Sequence, residues 1–185
     1  DLIWLRQCGL EAAIHKAADA GTLVFGVCGG YQMLGRTVSD PEQVEAAGTT
    51  EILGMGLLEM DTIFLGEKVQ AQTTGVFAGI SGVLSDLNGM SYSGYEIHMG
   101  RSEEEMPALA GTGNVYGSYV HGVFDASGIS DTILKALCVR KGIDFDALET
   151  FDISEYKEHQ YDLLADAVRS GLDMEFIYRI LNREV

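Results

Sequence analysis

At 185 residues, with 46% hydrophobic residues and only two prolines, the chain has the composition of one compact globular domain with a buried core, which excludes a disordered or collagen-like protein. Twenty-eight acidic against twelve basic residues give a formal net charge of −16, which argues against nucleic-acid partners, and no apolar run reaches the roughly 18 residues of a membrane helix. Cys8, Cys28 and Cys138 are odd in number and lack CxxC spacing, so neither a disulfide framework nor a zinc site is expected, and a reducing cytoplasm fits best.

The chain opens on Asp1 and runs almost at once into amphipathic sequence, so a fragment of a longer protein is expected. From Gly9 to Ala20, Leu10, Ala13, Ile14 and Ala17 fall at helical spacing, and Gly21 ends the pattern. Leu23 to Val27 is a short apolar run without alternation, the mark of a strand covered on both faces. Segments 52–65, 69–77, 92–99 and 114–124 are rich in Thr, Val, Ile, Tyr and Phe and punctuated by Gly, so they predict strands and hairpins. Helices follow over 129–141, over 154–170, where Tyr161, Leu164, Ala165 and Val168 share a face, and over about 173–182. Helix, strand, helix and then a strand-rich middle predict a three-layer α/β domain with antiparallel additions over residues 1–185.

The stretch TLVFGVCGGYQMLG carries the chemistry. Cys28 has glycine at −2 (Gly26) and +2 (Gly30), the spacing of a nucleophile elbow with sulfur in place of oxygen. A sharp strand-to-helix turn demands small flanking residues and sets the thiol at a helix N-terminus, which favours thiolate. The N–H of Gly29 is placed to hold an oxyanion. Acyl transfer by a thiolate needs a histidine. His15 and His159 sit in helical segments among charged neighbours and read as solvent-facing. His98 in YEIHMG and His121 in SYVHGVFD end glycine-bounded strands, and order alone does not choose between them. A cysteine peptidase, a hydrolase with the same elbow and a glutamine-hydrolysing domain all fit these residues.

GVCGGYQMLG resembles the nucleophile region of class I glutamine amidotransferases, whose G-x-C-x-G-x-Q pattern is matched by Gly26, Cys28, Gly30 and Gln32. DLIWLRQCGLEAAI, CGGYQMLGRTVSDPEQVE, GYEIHMG and GSYVHGVFD, in that order, are similar to the C-terminal amidotransferase domain of the cobyric acid synthases, over most of residues 1–142 and more weakly to the end. The resemblance implies the class I amidotransferase fold, with a central, mostly parallel sheet and added antiparallel strands. It implies Cys28 as nucleophile and His121 as its partner, with Gln32, Tyr95 and Glu96 near the glutamine site.

It further implies that glutamine is hydrolysed to supply ammonia to an upstream synthetase domain, where ATP and Mg activate carboxylates of a corrinoid, adenosylcobyrinic acid a,c-diamide. A related amidotransferase of another corrin or of a cell-wall precursor is the alternative, against which GYEIHMG argues. No cofactor and no metal are expected in this domain, which contains no G-x-x-x-x-G-K-[ST]. Two departures stand out. Where many relatives carry H-x-E, this chain reads His121-Gly122-Val123, so a Cys-His pair acts without that glutamate or borrows a carboxylate such as Glu96 or Asp125. A glycine-containing loop that gives the second oxyanion N–H belongs upstream of Asp1, so little glutaminase activity is expected of residues 1–185 alone.

Overall fold

The computed structural model describes residues 1–45, 48, 50–102, 107–126, 128–147 and 153–184. Its contacts separate two compact units, Asp1–Ala147 and Leu148–Val185.

In the first unit a short helix that periodicity does not announce, α1 (Leu2–Gln7), turns through Gly9 into α2 (Leu10–Asp19). The apolar run becomes β1 (Val24–Val27), and the elbow helix α3 (Gly29–Leu34) follows directly. β1 pairs in parallel with β7 (Val115–Ser118), which is buried along its whole length and takes β6 (Ala110–Thr112) antiparallel on its other side. A second sheet runs β3 (Glu51–Leu53), β2 (Thr37–Ser39), β4 (Asp61–Val76), β5 (Ser91–Arg101). In it β2 and β4 are parallel and the other neighbours antiparallel. The α/β class read from the sequence stands, and its parallel pairings, β1 with β7 and β2 with β4, lie in two separate mixed sheets.

Two strand boundaries differ from expectation for the same reason: apolar residues there serve the core without joining a ladder. Within 52–65, residues 54–60 are no strand. The N–H groups of Met55, Gly56, Leu57 and Leu58 donate to the carbonyls of Met33, Gly35 and Leu34 at 2.7 to 2.9 Å. They satisfy acceptors that the end of α3 leaves open. Met55, Leu58 and Met60 are buried with Leu2, Tyr31, Leu34, Val115 and Tyr119 in one core cluster. Within 114–124 the ladder stops at Ser118, and Tyr119, Val120 and Val123 continue as buried irregular chain. A second cluster gathers Leu84, Leu87, Tyr116, Val120, Ile129 and Ile133 under α4 (Ile129–Lys141).

The second unit consists of α5 (Ile153–Gly171) and α6 (Met174–Leu181), the latter capped by Asp173, whose carboxylate accepts from the Phe176 N–H at 2.9 Å. Among the described residues no helix is long and apolar enough to cross a membrane.

The turn from β1 into α3 depends on one glycine rather than two. A Cβ on Gly26 would lie 2.7 Å from the backbone of Gly30 and Tyr31, whereas one on Gly30 meets nothing within 4 Å. The two elbow glycines are therefore not equivalent, and substitution should separate them. Gly26→Ala is expected to cost about 1–3 kcal/mol of stability through overpacking. Gly30→Ala should fall within about 1 kcal/mol of the parent, or gain slightly, because alanine is the better helix former. Urea unfolding of the two variants checks this, and equal losses would contradict it.

Candidate active site

Cys28 extends the β1–β7 ladder by one bond, its N–H donating to Ser118 O at 2.8 Å. Its backbone then takes φ 52°, ψ −113°, a left-sided conformation that side chains rarely adopt and that persists only where the surroundings enforce it. Three residues beyond Ser118, the chain leaving β7 reaches His121. Both residues therefore follow the carboxyl ends of adjacent parallel strands, where loops gather sites in α/β proteins.

A strand of the other sheet touches both. Tyr95 on β5 exchanges two backbone hydrogen bonds with His121, Tyr95 N–H to His121 O at 3.1 Å and His121 N–H to Tyr95 O at 2.8 Å. Gly94 permits this approach, because a Cβ there would overlap His121 O and the Val120 side chain. Two residues along, Ile97 O accepts from the Cys28 thiol at 3.6 Å. Segment 94–97 thus runs across the nucleophile elbow and the histidine together.

The two histidines that sequence order could not separate have different surroundings. His98 is buried and engaged at both nitrogens. Nδ1 lies 2.7 Å from Gly100 O, and since a carbonyl only accepts, Nδ1 is the donor. Nε2 lies 3.2 Å from Glu96 Oε2, and the ring stacks on Tyr119 with centroids 3.9 Å apart. His121 presents a buried Nε2 with no hydrogen-bond partner, and its ring lies on that of Tyr95, centroids 5.0 Å apart and planes within 6°. Glu96, one of the two carboxylates considered for orienting His121, is spent on His98. Asp125, the other, donates its backbone N–H to Gly122 O at 2.9 Å.

Gln32 is buried against Gly100 and lies near the Tyr119 hydroxyl. That hydroxyl also meets Ser102 Oγ at 3.0 Å, which in turn meets Thr62 Oγ1 at 3.0 Å. Burial pushes the Tyr119 hydroxyl pKa up, outweighing the hydrogen bonds from Ser102, Gln32 and Thr62. Tyr119, Ser102, Thr62 and the Ile97 carbonyl were not singled out by sequence reasoning. The only available signal was Tyr119 two positions before His121 in GSYVHGVFD. His15 is half-buried and His159 exposed, Cys8 exposed and Cys138 buried in α4.

The expectation that the helix N-terminus favours thiolate at Cys28 is corrected by the structure. Burial raises the thiol pKa above its ordinary value, the Gly29 N–H lowers it by a smaller amount, and the charge of Glu45 raises it further. The helix has only six residues, and desolvation of the sulfur outweighs what its first amides contribute. The sulfur is directed toward Ile97 O. Beside it opens a cleft of about 380 Å³, lined in part by Gly29, Gln32, Met33, Glu45 and Phe64.

A family model described as the CobB/CobQ-like glutamine amidotransferase domain matches residues 1–129. Among curated relatives, "Cobyric acid synthase" of Lachnoclostridium phytofermentans is 47% identical, the alignment covering 100% of this chain and 40% of that protein. The proteins of the same name from Ruminiclostridium cellulolyticum and Dehalococcoides mccartyi strain BAV1 are 44% and 41% identical, again over 100% of this chain and over 39% and 40% of theirs. The chain thus spans about 40% of the length of the curated relatives it matches. A solved structure described as "Crystal structure of glutamine amidotransferase" aligns over 75% of this chain and 71% of its own, with 18% identity and a TM-score of 0.42.

The raised thiol pKa fixes the sign of a pH dependence. With no substrate bound, iodoacetamide alkylation of Cys28 should be slower at pH 7.5 than that of a free cysteine. Its rate should still be climbing above about pH 8.5, where an ordinary thiol is half ionised. Peptide mapping of the alkylated site across pH checks this, and a rate already level at pH 7 would contradict it.

Proposed function

Because this chain belongs to the CobB/CobQ-like glutamine amidotransferase domain family, we propose that it hydrolyses glutamine at a Cys28–His121 pair and passes the ammonia to a linked synthetase domain. The single observation that most supports this reading is the convergence at segment 94–97. The one cysteine at an elbow and the one histidine with an unpaired buried nitrogen both contact that segment.

In this reading His121 takes the thiol proton as Cys28 Sγ attacks the side-chain amide carbon of glutamine. The oxyanion is held by the Gly29 N–H and by a second N–H supplied from an upstream loop. The C–N bond breaks, His121 returns the proton to the leaving nitrogen as ammonia departs, and a thioester remains. His121 then takes a proton from water, the resulting hydroxide attacks the thioester, and the C–S bond breaks to release glutamate and the thiol. Burial works against a thiolate at Cys28, which gives His121 the task of taking the thiol proton. Gln32 and Glu96 shape the pocket from below, through Tyr119 and His98 respectively.

The name of the relatives supports cobyric acid synthesis as the destination of the ammonia. There ATP and Mg in the synthetase domain activate carboxylates of adenosylcobyrinic acid a,c-diamide, and this domain needs neither. In the full-length protein, a glutamine-analogue electrophile should label Cys28 and spare Cys8 and Cys138. Cys28→Ala should abolish glutamine-dependent amidation while leaving amidation with free ammonia. Labelling of Cys8 or Cys138 with Cys28 untouched would sink the proposal.

A further inference from the structure

Tyr95 is the least economical residue of β5. The residue is 47% exposed on a strand whose neighbours Gly94 and Glu96 are less exposed, and it belongs to neither of the two core clusters among the described residues. What it does touch is specific. The ring lies parallel to the His121 imidazole, centroids 5.0 Å apart and planes within 6°, an offset stack of the kind aromatic pairs prefer. The backbones of the same two residues are tied by two hydrogen bonds, and the absence of a side chain at Gly94 keeps the His121 chain against β5. The imidazole's Nε2 is buried with no hydrogen-bond partner. With no hydrogen bond at Nε2 to set it, the plane of the ring depends on what packs against its face, and there the ring of Tyr95 lies.

We infer that Tyr95 is a positioning residue for His121, its ring acting as a flat rest that fixes the plane of the imidazole and so aims Nε2. The stack takes the place of the orienting glutamate that His121-Gly122-Val123 lacks. The role belongs to the aromatic face and not to the hydroxyl. It rests on the proposed use of His121 as acid and base, and it differs from a contact with substrate in what it should change. A misaimed base slows the chemical steps with glutamine bound, whereas a lost substrate contact weakens binding.

The test is steady-state kinetics of the full-length protein with glutamine and, separately, with free ammonia. Tyr95→Phe keeps the ring and should retain kcat with glutamine to within about twofold. Tyr95→Leu should lower that kcat on the order of tenfold, with KM for glutamine and the ammonia-dependent rate unchanged. Tyr95→Trp, which restores a stacking face, should recover part of the loss. A Leu variant with parental kcat overturns the inference, as does a raised KM with kcat intact, or a Phe variant as slow as the Leu one. If Leu also loses the ammonia-dependent rate, its fold is at fault and the Phe and Trp variants decide: parental-like kcat in Phe supports the stack, and loss in Phe overturns it. Failure of the underlying reading shows elsewhere, as glutamine-dependent activity that survives Cys28→Ala.

Discussion

Two backbone hydrogen bonds between Tyr95 and His121 bring the candidate site together. The elbow and the histidine are products of one sheet, where β1 and β7 end side by side, but the surface that both residues meet comes from the other sheet. The bridge and the ring stack beside it are what hold the irregular stretch carrying His121 against β5. The bridge is possible only because Gly94 has no side chain. A single missing methyl group thus governs how closely the two sheets approach at the point where the chemistry is proposed.

The same approach explains the electrostatics. Partial burial of the sulfur, which contacts Ile97 O of β5, outweighs the stabilisation that the Gly29 N–H gives a thiolate. An elbow is often read as an activating device in itself. Here the strained backbone at Cys28 serves position first, and ionisation is left to a neighbouring base and to whatever fills the cleft beside Gly29. Near the elbow, Tyr119, Ser102 and Thr62 form a chain of hydrogen bonds beside the buried Gln32, with the His98 ring of the His98–Glu96 pair stacked on Tyr119. Buried polar groups of this kind are costly unless satisfied, and satisfied they fix one arrangement of the parts around them.

Much of this was legible in the residues. The glycine spacing around Cys28 announced the turn, and the glycine-bounded strand ends narrowed four histidines to two. Local sequence could go no further with His98 and His121, because both occupy the same kind of position. Their difference lies in what the rings meet: Glu96 and Gly100 of the same strand and the distant Tyr119 occupy His98, whereas among the described residues Nε2 of His121 has no hydrogen-bond partner. The strand over-reading at 54–60 and 119–124 has a similar origin. Apolar β-type residues there are buried as core and as a cover for the end of α3, and composition does not distinguish those uses from a ladder.

The sequence by itself determined the α/β class, the elbow and its cysteine, and, through resemblance, the family, since these depend on spacing within short segments. Only the tertiary structure decided which elbow glycine is sterically required, that the Cys28 thiol is raised and not lowered, that Glu96 serves His98, and that Tyr95 lies flat on His121. Each of those depends on distance, burial and orientation in the folded chain, between residues as far apart as Tyr95 and His121 or as near as Glu96 and His98, and no local pattern encodes them.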